Sequence, residues 1–227
     1  MPLRNHDRDM FENLRQFLIV WFIKAVQKYG PRRVRVLGRS FEISEEVFNP
    51  AFYFTSMFMA KNIRVTRDDT VLDMGTGSGI QAIIAGQTAS RVIAVDINPQ
   101  AVRYARRNVC ANGLDGTVSV VEGDLFSSLD RRCKFDVIIF TPPYLKGRPG
   151  NDFERALFDF NKNLLRRFFR DAREYIAAGG YVQMLYSSIA APAQALKIAE
   201  EFGWRHEVTV RERTLAEEFL IYRFSLN

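Results

Sequence analysis

From Thr70 onward, short apolar runs alternate with segments whose apolar residues recur every three to four positions. Short runs rich in valine and isoleucine are typical of buried strands, and the wider spacing is typical of helices that pack one face on a sheet. The pattern predicts strands at 71–74, 91–97, 117–124, 135–141, 181–187, 207–213 and 219–225. It predicts helices at about 78–88, 99–112, 158–178 and 192–202.

This regular alternation predicts an α/β fold that is doubly wound, with a mostly parallel, seven-stranded sheet and helices on both of its faces. The last two predicted strands lie close together in the sequence, at 207–213 and 219–225. A parallel pair needs a long crossover, whereas an antiparallel pair needs only a short turn. We therefore expect an antiparallel hairpin at one edge of the sheet.

The first part of the chain starts with a predicted helix from Asp9 to Tyr29, which Gly30-Pro31 ends. Apolar side chains share one face of this helix at helical spacing. They are Phe11, Leu14, Leu18, Phe22, Ala25 and Val26.

A hairpin and a second helix are predicted next. The run RRVRVLGRSFEI alternates basic and apolar residues around Leu37-Gly38, which is typical of a short hairpin. Residues 47–63 are predicted to form a loop and then a helix. We therefore divide the chain into an N-terminal helix-and-hairpin extension at 1–60, packed on a main domain at 61–227.

A glycine-rich turn, DMGTGSG, joins the first strand of the main domain to its first helix. Gly75, Gly77 and Gly79 permit positive φ and let a ligand approach the backbone. The G-x-G-x-G spacing differs from the G-x-G-x-x-G of dinucleotide-binding turns, and Asp73 stands two residues ahead of the first glycine. A carboxylate there repels a pyrophosphate and attracts an ammonium group. The turn therefore favours an amine-bearing nucleoside, with a tight turn that binds nothing as the alternative.

Two more carboxylates end the next two predicted strands. Asp96 closes RVIAVDI, where a carboxylate can accept hydrogen bonds from both hydroxyls of a ribose. Asp124, in EGDLF, is placed so that its carboxylate or a neighbouring amide can contact an adenine edge. Each could by itself be a surface acid or a helix cap, but three acids at three successive strand ends point jointly to a ligand.

Together these residues resemble the class I S-adenosylmethionine-dependent methyltransferases, over about 69–227. The resemblance implies a Rossmann-like fold and S-adenosylmethionine as cofactor. It also implies roles for individual residues. Asp73 and the turn residues Gly75, Thr76, Gly77 and Gly79 would lie against the methionine moiety, Asp96 would bind the ribose, Ile97 would pack on the adenine, and Asp124 and Leu125 would flank the adenine amine.

The stretch FDVIIFTPPYLKG places Thr141, Pro142, Pro143 and Tyr144 at the end of a strand. This tetrapeptide resembles the N-P-P-Y motif of amino-group methyltransferases, which act on exocyclic base amines or on the glutamine amide of release factors. The resemblance implies that Thr141 contacts both cofactor and target, that a proline carbonyl accepts a target N–H, and that Tyr144 walls the planar target group. Thr141 stands where the motif has asparagine, and its hydroxyl has a shorter reach than the asparagine amide. The alternative interpretation is that the tetrapeptide is a rigid loop with no role in catalysis.

Two branches of the family are equally near. The ending RERTLAEEFLIYRF resembles the last strands of release-factor glutamine methyltransferases, and VFNPAFYFTSMFMA resembles the segment ahead of their cofactor turn, matching at Pro50 and Ala51. The small-subunit rRNA guanine methyltransferases share the same core. The target is therefore left open between RNA and protein.

Charge adds an argument about partners. The chain has 227 residues with a formal net charge of +6, and such a surface favours anionic partners such as RNA or a ribonucleoprotein. Basic side chains follow the tetrapeptide at Lys146 and Arg148, and a predicted helix carries Arg166, Arg170 and Arg173 on one face. A solvated helix face without a partner is the alternative for these arginines.

The cysteines, the apolar runs and the histidines of the chain bear on its cellular compartment and on metal binding. Two cysteines without a CxxC pair favour a reduced, cytoplasmic protein, and the apolar run from Phe17 to Ile23 is too short to span a membrane. His6 and His206 stand alone, so no metal site is predicted. The oligomeric state is left open.

The sequence thus predicts an S-adenosylmethionine-dependent methyltransferase that acts on a planar amino or amide nitrogen of RNA or of a protein such as a release factor. One alternative is a non-catalytic nucleoside- or RNA-binding module that keeps the fold. Another is a methyltransferase of a small molecule. A nicotinamide-dependent dehydrogenase fits poorly, because it needs the other glycine spacing.

Overall fold

The structure, a computed structural model, describes residues 5–190, 192–214 and 217–226, with side chains described for Leu14 and from Gln16 onward. The strands are β1 (Arg33–Val36), β2 (Arg39–Glu42), β3 (Thr70–Met74), β4 (Arg91–Asp96), β5 (Val118–Glu122), β6 (Phe135–Phe140), β7 (Ile176–Ser187), β8 (Trp204–Arg213) and β9 (Glu218–Leu226). The α-helices are α1 (Asn5–Tyr29), α2 (Phe54–Lys61), α3 (Ile80–Ala85), α4 (Pro99–Ala111), α5 (Asp152–Arg155), α6 (Asn163–Ala172) and α7 (Pro192–Glu201).

The main sheet of the described chain has seven strands, in the order β5-β4-β3-β6-β7-β9-β8. The pairs from β5 to β7 are parallel, whereas β9 runs antiparallel to both β7 and β8. The predicted doubly wound α/β fold is therefore confirmed, including the antiparallel hairpin at the edge. Strand order reverses at β3, which has β4 on one side and β6 on the other. In sheets of this type ligands bind at the carboxyl ends of the strands beside such a reversal.

Successive strand residues alternate between two hydrophobic cores on opposite faces of the sheet. Val71 and Val137 belong to one core, which also takes in α3 and α4, and Leu72 and Ile138 belong to the other, with α6 and α7. All four side chains are fully or almost fully buried. Because both faces are covered, the parallel strands carry continuous apolar runs rather than alternating ones.

The β1–β2 hairpin is tied to the main sheet's helices through an asparagine. Asn108, buried on α4, accepts a hydrogen bond from the Glu42 N–H (2.7 Å) and donates to the Glu42 carbonyl (3.0 Å) and the Ser78 carbonyl (2.9 Å). Its amide thus pairs with the free edge of β2 much as a neighbouring strand would. Asn112, one turn later, pairs with Ser40 in the same way.

Helix α1 confirms the predicted N-terminal helix, but its packed side differs from the apolar stripe that indicated it. Val20 and Ile23 pack toward a small cluster formed by Leu145, Phe153 and Leu157. The opposite side exposes more than half of each of Leu14, Phe17, Leu18, Trp21 and Phe22. Phe11 lies outside the described side chains. No helix in the described part of the chain combines the length and hydropathy that crossing a bilayer requires.

The predicted helix at 158–178 was wrong at both ends. Helix α6 begins only at Asn163, because Asn161 and Lys162 have φ values of 54° and 57°, which interrupt a right-handed helix. It ends at Ala172, and β7 starts at Ile176. The short helix α5 was not predicted, and α3 is shorter than expected.

Gly179-Gly180, which directly follows the predicted helix at 158–178, lies inside β7. A Cβ on Gly180 would come within 2.9 Å of the carbonyl oxygens of Phe135 and Asp136. The pairing of β6 and β7 shifts register at this point, between Phe135 and Val137. The glycine is therefore required by a close approach of two strands at a bulge.

Asn108→Ala is expected to lower the free energy of unfolding by about 2–4 kcal/mol, because it removes three hydrogen bonds and strands buried backbone groups. Asn112→Ala is the matched control at a more exposed site and is expected to cost less than about 1 kcal/mol. Urea unfolding followed by circular dichroism measures both. Equal losses for the two variants would contradict the role given to Asn108.

Candidate active site

The register of the central strands brings the predicted site residues to one edge of the sheet. Met74 is paired with Val95 on one side and with Phe140 on the other. The residues that follow these three positions, Gly75, Asp96 and Thr141, are therefore neighbours. Asp96 is in turn paired with Glu122, which places Gly123 and Asp124 next in the row.

The glycine turn is held by short hydrogen bonds to the next strand. The N–H groups of Gly75 and Thr76 both donate to the Val95 carbonyl, at 2.8 and 3.0 Å. Gly75 and Gly77 have φ values of 67° and 55°, which favour glycine, and a Cβ on Gly77 would meet no atom within 4 Å. The open space beside Gly77 is part of a cavity of about 840 Å³.

Gly79 has a different task from the two glycines before it. It occupies the position before α3 with φ at 84°, and a Cβ there would lie 3.3 Å from the Cβ of Ala105 on α4. It does not line the cavity, whereas Gly75, Thr76 and Gly77 do. The third glycine thus serves the turn and the contact between two helices.

Asp73 is fully buried at the end of β3 and organises the turn from below. Its carboxylate accepts hydrogen bonds from the Thr76 hydroxyl (2.6 Å) and the Ala82 N–H (3.0 Å). Burial raises the pKa of Asp73 to about 7, the two hydrogen bonds lower it, and the charge of Asp96 raises it slightly further. The carboxyl also lines the cavity, and with this pKa about half of the molecules carry its negative charge beside the turn at pH 7.

Asp96 links the turn to the second strand end. Its carboxylate accepts hydrogen bonds from the Gly77 N–H at 2.8 Å and the Asn98 N–H at 2.9 Å. Burial raises the pKa of Asp96, while these N–H groups lower it. Each oxygen retains a lone pair for a ligand hydroxyl. Ile97, 37% exposed, presents an apolar surface to the cavity beside it.

Asp124 and Leu125 also border the cavity. The Asp124 carboxylate forms an ion pair with Arg167 of α6 at 2.8 Å. The backbone N–H of Asp124 donates a hydrogen bond to the Ser127 hydroxyl. Leu125 is buried with φ at 52°, a conformation that non-glycine residues seldom adopt. Such strain concentrates at functional sites.

No sequence pattern marks Arg167, although the helical spacing of basic residues marks Arg166, Arg170 and Arg173 next to it. Arg166 pairs with Glu201 at 2.6 Å, and Arg170 pairs with Asp171 at 2.6 Å. Arg166 and Arg170 thus have carboxylate partners, whereas the third arginine of the predicted set, Arg173, lies after the end of α6 and is exposed. Their pairing weakens the case for an RNA-binding face on α6.

The tetrapeptide at the end of β6 lines the cavity beside the glycine turn. The Thr141 hydroxyl is buried and has no hydrogen-bond partner, and Pro142 and Pro143 are buried behind it. Burial raises the pKa of the Tyr144 phenol, with a smaller contribution from the charge of Glu217. Buried polar groups are rarely left unpaired in proteins. The buried amide oxygen of Gln81, which also lines the cavity, likewise has no protein partner.

Further cavity-lining residues come from parts of the chain where no motif marked them. Phe54 packs against Phe219, with ring centroids 4.6 Å apart and the rings tilted by 38°, and Leu18 and Phe22 of α1 reach the mouth of the cavity. Glu217 also lines it and accepts a hydrogen bond from the Ser187 hydroxyl. Only the chain's path through the fold brings these residues to the strand ends. Among the described residues, no group of histidine, cysteine, aspartate and glutamate is arranged to hold a metal ion.

The raised pKa of Asp73 leads to a prediction about stability. A folded-state pKa near 7, against about 3.9 when unfolded, means that the native state binds this proton more tightly at intermediate pH. The wild-type free energy of unfolding is therefore expected to fall, relative to that of Asp73→Asn, by about 2 kcal/mol between about pH 5.5 and about pH 7.5. Urea unfolding at both pH values measures the difference.

The control for this experiment is Asp68→Asn, at an exposed aspartate outside the site. A difference between wild type and Asp73→Asn that stays constant across the pH range would show that Asp73 is as acidic in the folded as in the unfolded chain.

Comparison with known proteins identifies the family. Residues 52–222 match the family model described as the methyltransferase small domain. A putative protein N5-glutamine methyltransferase of Methanocaldococcus jannaschii is 31% identical over 195 residues, which cover 83% of this chain and 96% of that protein. A release factor glutamine methyltransferase of Fusobacterium nucleatum is 34% identical over 209 residues, covering 80% of this chain and 58% of that protein.

A solved structure supports the fold. A methyltransferase from Pyrococcus furiosus superposes with a TM-score of 0.63 over 94% of this chain and 99% of that one, at 17% sequence identity. The resemblance drawn from the glycine turn and the tetrapeptide is thus confirmed. The chain belongs to the methyltransferase small domain family and is an S-adenosylmethionine-dependent methyltransferase.

Proposed function

We propose that this methyltransferase transfers a methyl group to the side-chain amide nitrogen of a glutamine in a protein substrate. The observation that carries the proposal is the buried, unpartnered Thr141 hydroxyl in a Thr-Pro-Pro-Tyr loop at the edge of the cavity. A primary amide has two N–H donors, and such a hydroxyl can accept one of them. The relative from Methanocaldococcus jannaschii, named as a protein N5-glutamine methyltransferase, supports an amide target.

The residues at the strand ends fit S-adenosylmethionine. A Cβ on Gly77 would meet no atom within 4 Å, so the space beside this residue admits a ligand close to the backbone. Asp96 would accept the ribose hydroxyls, Ile97 would cover the adenine, and Asp73 would face the amino group of the methionine moiety. The cavity volume of about 840 Å³ lies within the range of ligand sites. Asp124, paired with Arg167, would flank the adenine edge together with Leu125.

The loop's contribution to catalysis is orientation. When bound, the cofactor supplies a methyl group from a positively charged sulfur, which departs as a neutral thioether, and the amide nitrogen that receives the methyl group releases one proton to solvent. The Thr141 hydroxyl and the Pro142 carbonyl would each accept one N–H of the target amide, which turns the nitrogen toward that methyl group. The Tyr144 ring would wall the planar amide. Holding two reactants in line converts a bimolecular step into an effectively unimolecular one, which supplies most of the acceleration.

A protein substrate fits the described surface better than RNA does. Arg166 and Arg170 are already paired with carboxylates, which reduces the charge free to meet phosphates. The mouth of the cavity is bordered by Leu18 and Phe22, which are apolar and more than half exposed. Apolar side chains there favour contact with an apolar or mixed protein segment.

Asp96→Ala is expected to weaken S-adenosylmethionine binding about ten- to a hundredfold. The reason is that the two ribose hydroxyls lose their hydrogen bonds to the charged Asp96 carboxylate. Glu122→Ala is the matched control: this carboxylate is the register partner of Asp96, is exposed, and does not line the cavity. Isothermal titration calorimetry gives both dissociation constants. Equal affinities for wild type and Asp96→Ala would remove Asp96 from the cofactor site.

The target class is tested by transfer of a labelled methyl group from S-adenosylmethionine into a cell extract, with Asp96→Ala as the blank. We expect label that protease releases and ribonuclease does not, and N5-methylglutamine on digestion to amino acids.

Thr141→Val keeps the shape of the side chain and removes the acceptor. It is expected to reduce turnover about ten- to a hundredfold while cofactor affinity stays within about twofold.

Thr141→Asn restores the residue that the family motif carries and is expected to retain turnover. Label released only by ribonuclease would make RNA the substrate and refute the proposal. Unchanged turnover in Thr141→Val would remove the hydroxyl from the acceptor site.

A further inference from the structure

Behind the Thr-Pro-Pro-Tyr loop lies a buried lysine that no family motif marks. Lys162 is 6% exposed, and its ammonium group donates to the Tyr144 carbonyl at 3.3 Å and to the Tyr186 hydroxyl at 3.1 Å. It does not line the cavity, whereas Tyr144 does. The lysine therefore acts on the loop from the side away from the ligand.

The backbone around this lysine is strained in a way that directs its side chain inward. Asn161 and Lys162 are consecutive non-glycine residues with φ values of 54° and 57°. Left-handed conformations are unfavourable for such residues and persist only where the surroundings hold them. Just after this turn α6 begins, and the Asp159 carboxylate accepts hydrogen bonds from its first N–H groups, those of Leu164 (3.0 Å) and Leu165 (3.2 Å).

A buried cation is costly unless it has partners. Burial lowers the pKa of Lys162, the charge of Asp159 opposes this, and that of Lys146 adds to it. The Asp159 oxygens are engaged by backbone N–H groups, and the hydrogen bonds of the ammonium group go to the carbonyl of Tyr144 and to Tyr186. A lysine kept only to neutralise Asp159 would not need to reach the loop.

The same segment holds the next residue of the loop as well. The Leu145 N–H donates to the Leu157 carbonyl at 2.9 Å, and the Asp159 N–H donates to the Leu145 carbonyl at 3.1 Å. Tyr144 also packs near Tyr186, with ring centroids 6.0 Å apart. The downstream end of the loop is thus fixed by main-chain bonds to residues 157 and 159 and by the Lys162 ammonium group, all from one segment.

We propose that Lys162 is a positioning residue of the acceptor site, which holds the Tyr144 carbonyl and thereby fixes the geometry in which Thr141 and Pro142 present their acceptors to the target nitrogen. The inference rests on the proposed function of that loop. Thr141 has a shorter side chain than the asparagine of the motif, so the position of the loop backbone matters more here. The strained turn at Asn161 and Lys162 and the buried Lys162 ammonium group hold the loop backbone in that position.

Lys162→Met removes the donors and keeps an unbranched side chain that is only one atom shorter. Hydrogen exchange of peptides covering 141–147, read by mass spectrometry, is expected to speed up about tenfold, because the loop loses the hydrogen bond from Lys162 that restrains its backbone. The turnover number for methyl transfer is expected to fall about tenfold, with the KM for the acceptor and the dissociation constant for S-adenosylmethionine within twofold of wild type.

Lys197→Met is the matched control, at an exposed lysine on α7, and is expected to leave exchange and turnover unchanged. Lys162→Arg and Lys162→Gln retain donors and are expected to recover part of both readouts. They carry the same test if Lys162→Met does not fold.

Unchanged exchange at 141–147 in Lys162→Met would overturn the inference. So would a loss of turnover that is matched by equal losses of cofactor affinity and thermal stability, because that is the signature of general destabilisation. Absence of methyl transfer by the wild-type protein to any protein acceptor would refute the proposed function instead, and the exchange measurement would still decide the role of Lys162.

Discussion

The parallel register of β3 with its two neighbours is the constraint on which the site depends. Because Met74 is level with both Val95 and Phe140, the residues after three separate strands emerge side by side. A shift of one residue in either pairing would turn the following side chains to the opposite face. The buried valines and isoleucines of these strands resist such a shift, since they would exchange cores. The chemistry at the edge is thus secured by packing in the interior.

Carboxylates reinforce this arrangement through the backbone. Asp96 of β4 binds the Gly77 N–H of the turn after β3, and Asp73 of β3 binds the Ala82 N–H inside α3. Each acid therefore joins two elements before any ligand arrives. The cost is that both carboxyls are taken out of water, which raises the pKa of each. A pre-assembled site of this kind loses little entropy when it binds.

The sequence predicted the sheet and the strand-end residues well, because both depend on local signals. Apolar runs mark strands, and acids and glycines that follow them must fall at one edge. Contacts between distant segments left no such signal. Arg167 meets Asp124 only because the fold brings α6 near the loop after β5, and Asn108 meets Glu42 only because the hairpin docks there. The start of α6 was misjudged because asparagine and lysine adopt positive φ at 161 and 162, where propensity alone favours a continued helix.

The two tryptophans of the chain occupy opposite environments. Trp204 is 1% exposed and donates its indole N–H to the Phe169 carbonyl, while Trp21 on α1 is 62% exposed. Indole emission moves to longer wavelength in water, so the protein's fluorescence is the sum of a blue, shielded component and a red, quencher-accessible one. The red component reports on whatever touches α1 beside the mouth of the cavity, and the blue one reports on the integrity of the core. The chain thus carries separate optical probes for docking and for folding.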